Sequence, residues 1–255
     1  MISFNPVISI FEAVGKYMIF LGETVKWTFR KPFDGKNILN QMLEIGYKSL
    51  PVTSITIFFT GMVMALQIGK SMDAIMPGSS VYIGSGVTIS MFRELAPVLT
   101  ALLLAGRIGS AIAAQIGSMK VTEQIDALVT LSTNPIQYLA VPRLIAALVM
   151  TPCLTLISDL MGVVGGSIIA FFALGVTPDK YYDNIIAYVT IEDFFSGFSK
   201  SFVFGVEIAL IACYEGFNTT GGAEGVGRST IQSVVKASMA VLISDYFLTY
   251  LMQVI

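Results

Sequence analysis

The most constraining feature of this 255-residue sequence is a set of long apolar runs that carry no charge. Residues 49–69 contain no Asp, Glu, Lys or Arg. At about 1.5 Å per residue, an α-helix of that length spans the hydrocarbon core of a bilayer. Only 13% of the residues are charged, about half the share of an average soluble domain. The sequence therefore predicts an all-α membrane protein, with room for about five or six crossings and none for a large soluble domain.

Five stretches are predicted to cross the bilayer, within a domain of residues 49–255. Residues 74–92 are also uncharged, but the cluster from Pro77 to Ser80 is a turn signal, so a tight hairpin is expected there rather than a crossing. The second span is rich in small residues, which allow another helix to approach closely. The fourth span is short and is lengthened by the aromatic stretch before it. The predicted spans are residues 49–69, 95–119, 144–178, 201–214 and 237–255.

Residues 1–48 are predicted to form an N-terminal amphipathic helix and a connector. On a helix, the charged residues of this segment fall within a sector of about 80°. Apolar residues such as Val14, Met18 and Val25 lie off that stripe. A helix with this pattern lies in the membrane interface, and the repeated charges argue against a sixth crossing. The charged residues are Glu12, Lys16, Glu23, Lys26 and Arg30.

The basic residues of the loops predict the orientation of the chain. Residues 1–48 carry six Lys or Arg, and the loops 120–143 and 215–236 carry two each. The other side holds Lys70 and Lys180, with Arg93 and Lys200 at span ends. Because cytoplasmic loops carry an excess of Lys and Arg, the N-terminus is expected in the cytoplasm and the C-terminus on the opposite side.

Several kinds of chemistry are unsupported by the sequence. It has no histidine, which removes His-based triads and imidazole metal sites. The string IGKS at residues 68–71 resembles the end of a phosphate-binding loop, but Met64 stands where that motif needs its first glycine. The glycine-rich residues 221–227 are predicted to form a flexible cytoplasmic turn. No ATP site, other cofactor, metal or nucleic-acid partner is therefore predicted for this chain, whose formal net charge is −2.

Four charged residues fall inside the predicted spans, where an unpaired charge costs at least about 2.5 kcal/mol. One hypothesis is an ion-coupled carrier that uses all four in a relay. A second is an aspartyl protease built on two of the acids, although neither lies beside a backbone-distorting motif. A third is structural, with the arginine paired to an acid across the bundle. The four residues are Arg107, Asp159, Glu207 and Asp245.

The segment VTEQIDALVTL, residues 121–131, is predicted to form a short amphipathic cytoplasmic helix. Ile125, Leu128 and Val129 share one face, and the acidic polar face is unsuited to an anionic membrane leaflet. Docking into a protein partner is therefore favoured over a helix that rests on lipid.

Longer strings point to a known family. The stretch FRELAPVLTALLLAGRIGSAIAAQIGSMKVTEQIDAL, with PRLIAALVMTPCLTLISDLMGVVGG and EGVGRST further on, resembles the MlaE (YrbE-type) permease family of lipid-transporting ABC systems. The resemblance implies a homodimeric, non-catalytic permease subunit in the inner membrane of a double-membraned bacterium. It also implies transport of phospholipid in support of outer-membrane lipid asymmetry. The implied partners are an ATPase (MlaF-like) that binds the ATP, a periplasmic ring of MCE-domain subunits (MlaD-like) and, in some members, a STAS-domain protein (MlaB-like).

The resemblance also assigns roles to individual residues. Residues 122–131 would be the coupling helix that inserts into the ATPase, through Thr122, Glu123, Gln124 and Asp126. A lipid pocket between two copies would open toward the periplasm. Its methionines suit variable acyl chains, while an arginine and a lysine suit a lipid phosphate. The implied pocket residues are Met64, Gln67, Ile68, Met72, Arg93, Glu94, Leu95 and Lys200.

Overall fold

The computed structural model describes residues 6–30, 34–75, 78 and 82–254. Within these ranges the chain is helical and contains no strand. Five helices, α3, α4, α6, α8 and α9, are long and apolar enough to cross a membrane, which confirms the predicted number of spans. The helices are α1 (Pro6–Thr28), α2 (Gly35–Met42), α3 (Leu50–Ile75), α4 (Ile83–Val121), α5 (Gln124–Thr130), α6 (Ile136–Leu174), α7 (Pro178–Tyr188), α8 (Ile191–Phe217) and α9 (Gly222–Val254).

Helix α4 begins twelve residues before the predicted start of the second span, so most of the expected hairpin segment is instead part of the crossing. A glycine in the early part of α4 allows close packing. A Cβ atom on Gly84 would lie 2.4 Å from the carbonyl oxygen of Tyr181 on α7, and Ile83 and Val87 are fully buried. Of the predicted turn at residues 77–80, only Gly78 lies within the described residues, with φ at +86°.

The glycine-rich segment 221–227 was predicted to be a flexible turn, and this prediction was wrong for most of it. Only the reversal between α8 and α9 uses positive φ angles, +89° at Gly221 and +67° at Gly222. From Gly222 onward the chain is helical, so α9 starts well before the predicted residue 237. Left-handed geometry is inexpensive for glycine, which explains the sharp turn that precedes the helix.

Two prolines inside the spans free backbone carbonyls that other elements then use. Pro97 of α4 has no N–H to donate to the carbonyl of Arg93, four residues earlier. That carbonyl accepts a hydrogen bond from Lys200 Nζ at 3.0 Å. Pro142 of α6 likewise cannot bond the carbonyl of Tyr138, which accepts from Asn37 Nδ2 of α2 at 3.2 Å. Each proline therefore connects its helix to a neighbour.

Glycines set the closest helix contacts of the bundle. A Cβ atom on Gly61 of α3 would lie 2.1 Å from the carbonyl oxygen of Gly162 on α6, and one on Gly165 would lie 2.2 Å from that of Phe58. Close backbone approach of this kind supplies the van der Waals contact that holds helices together in lipid. Helices α3 and α6 therefore form a tightly packed pair.

Helix α1 contacts the bundle through one of its faces. Phe20 and Thr24 are buried, whereas Val14, Met18 and Val25 are 52%, 60% and 43% exposed. The predicted charged stripe is solvent-facing and includes an ion pair between Lys16 and Glu12 at 2.7 Å. Helix α1 thus has a charged face, an exposed apolar face and a face against the protein. This division agrees with the amphipathic pattern in the sequence.

Candidate functional site

A cluster of charged residues joins α4, α8 and α9 near the start of α4. The ammonium group of Lys200 is completely buried. It lies 2.9 Å from Glu94 Oε1, 3.1 Å from Asp245 Oδ1 and 2.6 Å from Thr249 Oγ1, in addition to the Arg93 carbonyl. A buried charge is tolerated when it is paired and its hydrogen bonds are satisfied. Both conditions hold for Lys200. We call Lys200 and its four partners, Arg93, Glu94, Asp245 and Thr249, the ionic cluster.

A second ion pair extends this cluster toward the first turn of α8. Arg93 Nε lies 2.5 Å from Asp193 Oδ1. Asp193 also accepts from the backbone N–H of Thr190 at 2.8 Å, and the Thr190 hydroxyl accepts from the Asp193 N–H, which forms a capping box. The Asp193 side chain is 5% exposed and that of Arg93 is 45% exposed. One edge of the guanidinium is therefore held by protein, while the rest faces open space.

That open space is a cavity of about 660 Å³. Arg93 and Glu94 form a charged wall, and Phe195 and Met252 supply apolar surface. Such a combination suits a molecule with a charged group beside an apolar portion. The cavity is lined by Arg93, Glu94, Glu192, Phe195, Ser196, Ser199, Thr249, Met252 and Gln253.

The predicted pocket residues do not all meet within one copy of the chain. Arg93 and Glu94 line the cavity. Lys200 lies behind it with its ammonium group enclosed, so the direct contact with a phosphate expected for Lys200 is not available in this arrangement. Leu95 and Ile68 pack against the smaller of two apolar cores. The remaining three predicted residues, Met64, Gln67 and Met72 of α3, are partly or largely exposed and do not line the cavity.

The arginine inside the second span has a different partner from the predicted one. Arg107 Nη1 donates to Ser49 Oγ at 2.6 Å and to the carbonyl of Glu44 at 3.3 Å. Because Ser49 lies just before α3, where the chain leaves a π-helical turn, free oxygen atoms are available there. The expected ion pair between Arg107 and an acid across the bundle is therefore not formed.

The three intramembrane acids occupy separate environments. Asp245 belongs to the ionic cluster, and Glu207 accepts from the hydroxyl of Ser244 at 2.9 Å. Asp159 is 2% exposed, and its Oδ1 atom has no hydrogen-bond partner. Among the described hydrogen bonds and ion pairs, none joins any two of the four intramembrane charges. They do not form a continuous relay in this conformation.

The predicted coupling helix is present as α5 (Gln124–Thr130), and its predicted polar contacts, Thr122, Glu123, Gln124 and Asp126, are all exposed. Ile125 is buried as expected. Val129, which the pattern placed on the buried face, is 57% exposed. Leu128, the third residue of that face, is partly buried against the larger apolar core.

The two sites lie at opposite ends of the bundle. Arg93 is near the start of α4, and α5 follows the end of α4, so about 30 helical residues, roughly 45 Å, separate them. Sequence reasoning missed Asp193 and Thr249 as members of the ionic cluster. The pattern Thr190 to Asp193 is a capping-box signal that could have placed Asp193 at a helix start.

A bundle of five bilayer-length helices with an exposed amphipathic helix at one end and a charged, open cavity at the other defines a multi-pass membrane permease. Comparison with known proteins agrees. Residues 38–251 match the sequence model of the family described as Permease MlaE, and the chain belongs to that family.

Similar proteins carry consistent names. A probable ABC transporter permease protein of Rickettsia bellii is 43% identical over 96% of this chain and 93% of its own length. A protein of the same description from Synechocystis is 45% identical over 85% of this chain and 82% of its own. One from Pyropia yezoensis is 38% identical over 85% of this chain and 81% of its own length. A permease of an ABC system implies an ATPase partner.

Proposed function

We propose that this chain is the membrane subunit of an ABC-type phospholipid transporter in the inner membrane of a double-membraned bacterium. It exchanges lipid with a periplasmic ring of MCE-domain subunits, in support of outer-membrane lipid asymmetry. A separate ATPase binds the ATP, and a STAS-domain protein regulates it. The observation that carries the proposal is the cavity at Arg93 and Glu94, which combines a charged wall with apolar surface.

The cavity has the chemistry of a lipid headgroup site. Arg93 uses Nε to bond Asp193, which leaves its other N–H groups available to a phosphate. Lys200 contributes indirectly, because it holds Glu94 and the Arg93 carbonyl in place. The methionines of α3, Met64 and Met72, would contact acyl chains, since their thioethers repack around different shapes.

A homodimer would bring the two halves of this pocket together. On α4, Gly109 and Gly117 face α8 and α9, where Ser233 donates to the Gly109 carbonyl at 3.1 Å. Gly106 faces outward, and a Cβ atom there would meet nothing within 4 Å. An open face of small residues permits close approach of a second helix. We place the second copy there, with Gln67 and the α3 methionines beside the joint pocket.

The coupling role of α5 follows from its exposure. Its polar residues are exposed, and the excess of basic residues in the loops beside it favours the cytoplasm for this end and the periplasm for the C-terminus. ATP-driven closure of the ATPase would move α5 together with the ends of its neighbours. Transport requires that the resulting states differ in their affinity for lipid.

The proposal is tested with the assembled complex in vesicles. A triple variant Glu123→Ala, Gln124→Ala, Asp126→Ala is expected to abolish lipid-stimulated ATP hydrolysis. Thr130→Ala is the matched control, because that hydroxyl bonds the Ala127 carbonyl within α5. Undiminished stimulation in the triple variant would contradict the coupling role.

One observation favours the second candidate, an ion-coupled carrier. The buried carboxylate of Asp159 has an oxygen without a hydrogen-bond partner, and such groups in membrane spans often mark ion pathways. This hypothesis predicts lipid transport by the purified chain alone under a proton gradient, and its loss in Asp159→Asn. Transport that requires the ATPase and tolerates Asp159→Asn would reject it.

A further inference from the structure

One buried carboxylate connects α1 to the ends of two spans. Glu215, in the last turn of α8, has a side chain that is 7% exposed. Its Oε1 atom accepts from the Tyr17 hydroxyl of α1 at 2.5 Å and lies 2.8 Å from Lys236 Nζ of α9. A buried acid needs charge-assisted partners, and here they come from two other elements. We call these residues the Tyr17–Glu215–Lys236 junction.

Aromatic contacts surround the junction. The ring of Tyr17 lies 4.4 Å from that of Tyr214, and the ring of Phe20 lies 5.8 Å from both Tyr214 and Phe217. Helix α1 also packs against the start of α6, and its opposite face is open, with Met18 and Ile19 60% and 68% exposed. Burial and the neighbouring Glu215 carboxylate raise the pKa of Tyr17, so the phenol keeps the proton that it donates. The junction therefore adds a specific, buried polar contact to the packing that holds α1 against the bundle.

The predicted coupling segment lines the same groove as the aromatic residues beside the junction. Ile125, the buried residue of α5, belongs to the apolar core that contains Phe20. A surface groove of about 470 Å³ is lined by Phe20, Ile125, Tyr214 and Phe217 together with neighbouring residues. The interfacial helix, the predicted coupling segment and the end of α8 thus border one groove, and the Glu215–Lys236 ion pair connects this end of α8 to α9.

We propose that the Tyr17–Glu215–Lys236 junction makes α1 part of the coupling machinery, so that it moves with the ends of α8 and α9 when the ATPase acts on α5. Tyr17 is then a positioning residue for transport. Helix α1 is more than a membrane anchor, because its exposed apolar face is carried through the lipid interface by this movement. The inference rests on the proposed function, since it requires an ATPase that acts on α5.

The test uses Tyr17→Phe in the assembled complex, because phenylalanine keeps the ring contacts and removes only the hydroxyl. The matched control is Tyr47→Phe, at a tyrosine that is 73% exposed. Tyr17→Phe is expected to lower lipid transported per ATP hydrolysed by about 5- to 10-fold, within the usual range of coupling effects. ATPase binding and complex assembly stay unchanged. Glu215→Gln, which keeps an acceptor for Tyr17, retains part of the activity.

A second measurement separates this inference from the proposed function. A nitroxide at Met18→Cys, in a background of Cys153→Ala and Cys213→Ala, reports the depth of α1 in the membrane with and without trapped nucleotide. The depth is expected to change with nucleotide in the complex, and Tyr17→Phe abolishes that change while Tyr47→Phe preserves it. The inference would be overturned if the depth of α1 did not change with nucleotide, or if that change persisted in Tyr17→Phe. Absence of lipid transport with a normal depth change would reject only the proposed function.

Discussion

Charged side chains form a buried cluster at one end of the bundle and an exposed pair at the other. At the end with the ionic cluster, Lys200 is fully buried and lies within hydrogen-bonding distance of four oxygen atoms. At the end with α5, Lys120 and Asp126 form a single exposed pair at 3.3 Å. The contacts of Lys200 are required for stability, because an unpaired charge at that buried position would not be hydrated. The exposed ion pair of Lys120 and Asp126 is weak, and its groups remain available to a partner.

The contrast shows which end of the bundle pairs its own charges internally. The ionic cluster joins three helices and satisfies its own charges, so it fixes how α4, α8 and α9 sit against one another. The α5 end presents exposed polar side chains and an exposed Val129, which are available to a partner protein. Both features belong to one permease, with a buried, internally paired cluster at one end and an exposed polar surface at the other.

Lys200→Met should break this contrast most strongly. Removing the cation leaves Glu94 and Asp245 close together without a counter-ion, a change that costs about 3 to 5 kcal/mol of folding stability. The unfolding midpoint of the purified protein in mixed micelles measures the loss. Lys120→Met at the other end is the control and should cost less than about 1 kcal/mol. Equal effects of the two variants would show that the buried cluster is not structural.

Gly197→Ala should have the next largest effect. A Cβ atom at this position would lie 1.8 Å from the carbonyl oxygen of Phe92, so α8 and α4 must separate. Overpacking of this kind costs about 1 to 3 kcal/mol. Gly106→Ala, on the open face of α4, should instead be neutral or slightly stabilising in the same unfolding assay. Gly106→Leu should disrupt the proposed dimer in cross-linking, and an intact dimer would place the second copy elsewhere.

Much of the helical bundle was predictable, because apolar length is a local property of the sequence. The number of spans follows from runs such as residues 49–69, whose lack of charge requires no knowledge of neighbours. Helix starts were harder. Residues 83–90 follow the turn signal of Pro77 to Ser80 and were expected in a hairpin, yet they are helical and Gly84 closely approaches Tyr181. The tertiary contact overrides the local signal there.

The two candidate sites also differ in how far they could be predicted from the sequence. The polar face of α5 was found because its residues are adjacent in sequence. The ionic cluster combines Glu94, Lys200, Asp245 and Thr249 from three distant helices, and only the packing shows that they meet. Glu215 gave no signal at all, since its partners Tyr17 and Lys236 lie in other elements. Long-range pairing of this kind is set by the three-dimensional arrangement.

The helix starts at the two ends allow a finer comparison. Thr190 caps α8 with a side-chain hydrogen bond to the backbone N–H of Asp193 at 3.3 Å. Thr190→Ala should lower stability by about 1 kcal/mol, as expected for the loss of a helix cap. Thr190→Ser keeps the hydroxyl and should retain most of the stability. If alanine and serine behaved alike in the unfolding assay, the capping box would contribute nothing.

Glu123 begins α5 without any side-chain cap and in a left-handed conformation, with φ at +60°. The left-handed conformation is strained for residues other than glycine, so Glu123→Gly should raise the free energy of unfolding by about 0.5 to 1 kcal/mol. Glu123→Ala removes the same carboxylate and keeps the strain, and the difference between the two variants isolates the backbone contribution. If Glu123 contacts the ATPase, both variants should weaken lipid-stimulated hydrolysis equally, although one is the more stable protein. A stimulation that followed stability instead would show that the backbone at residue 123, and not its carboxylate, matters for coupling.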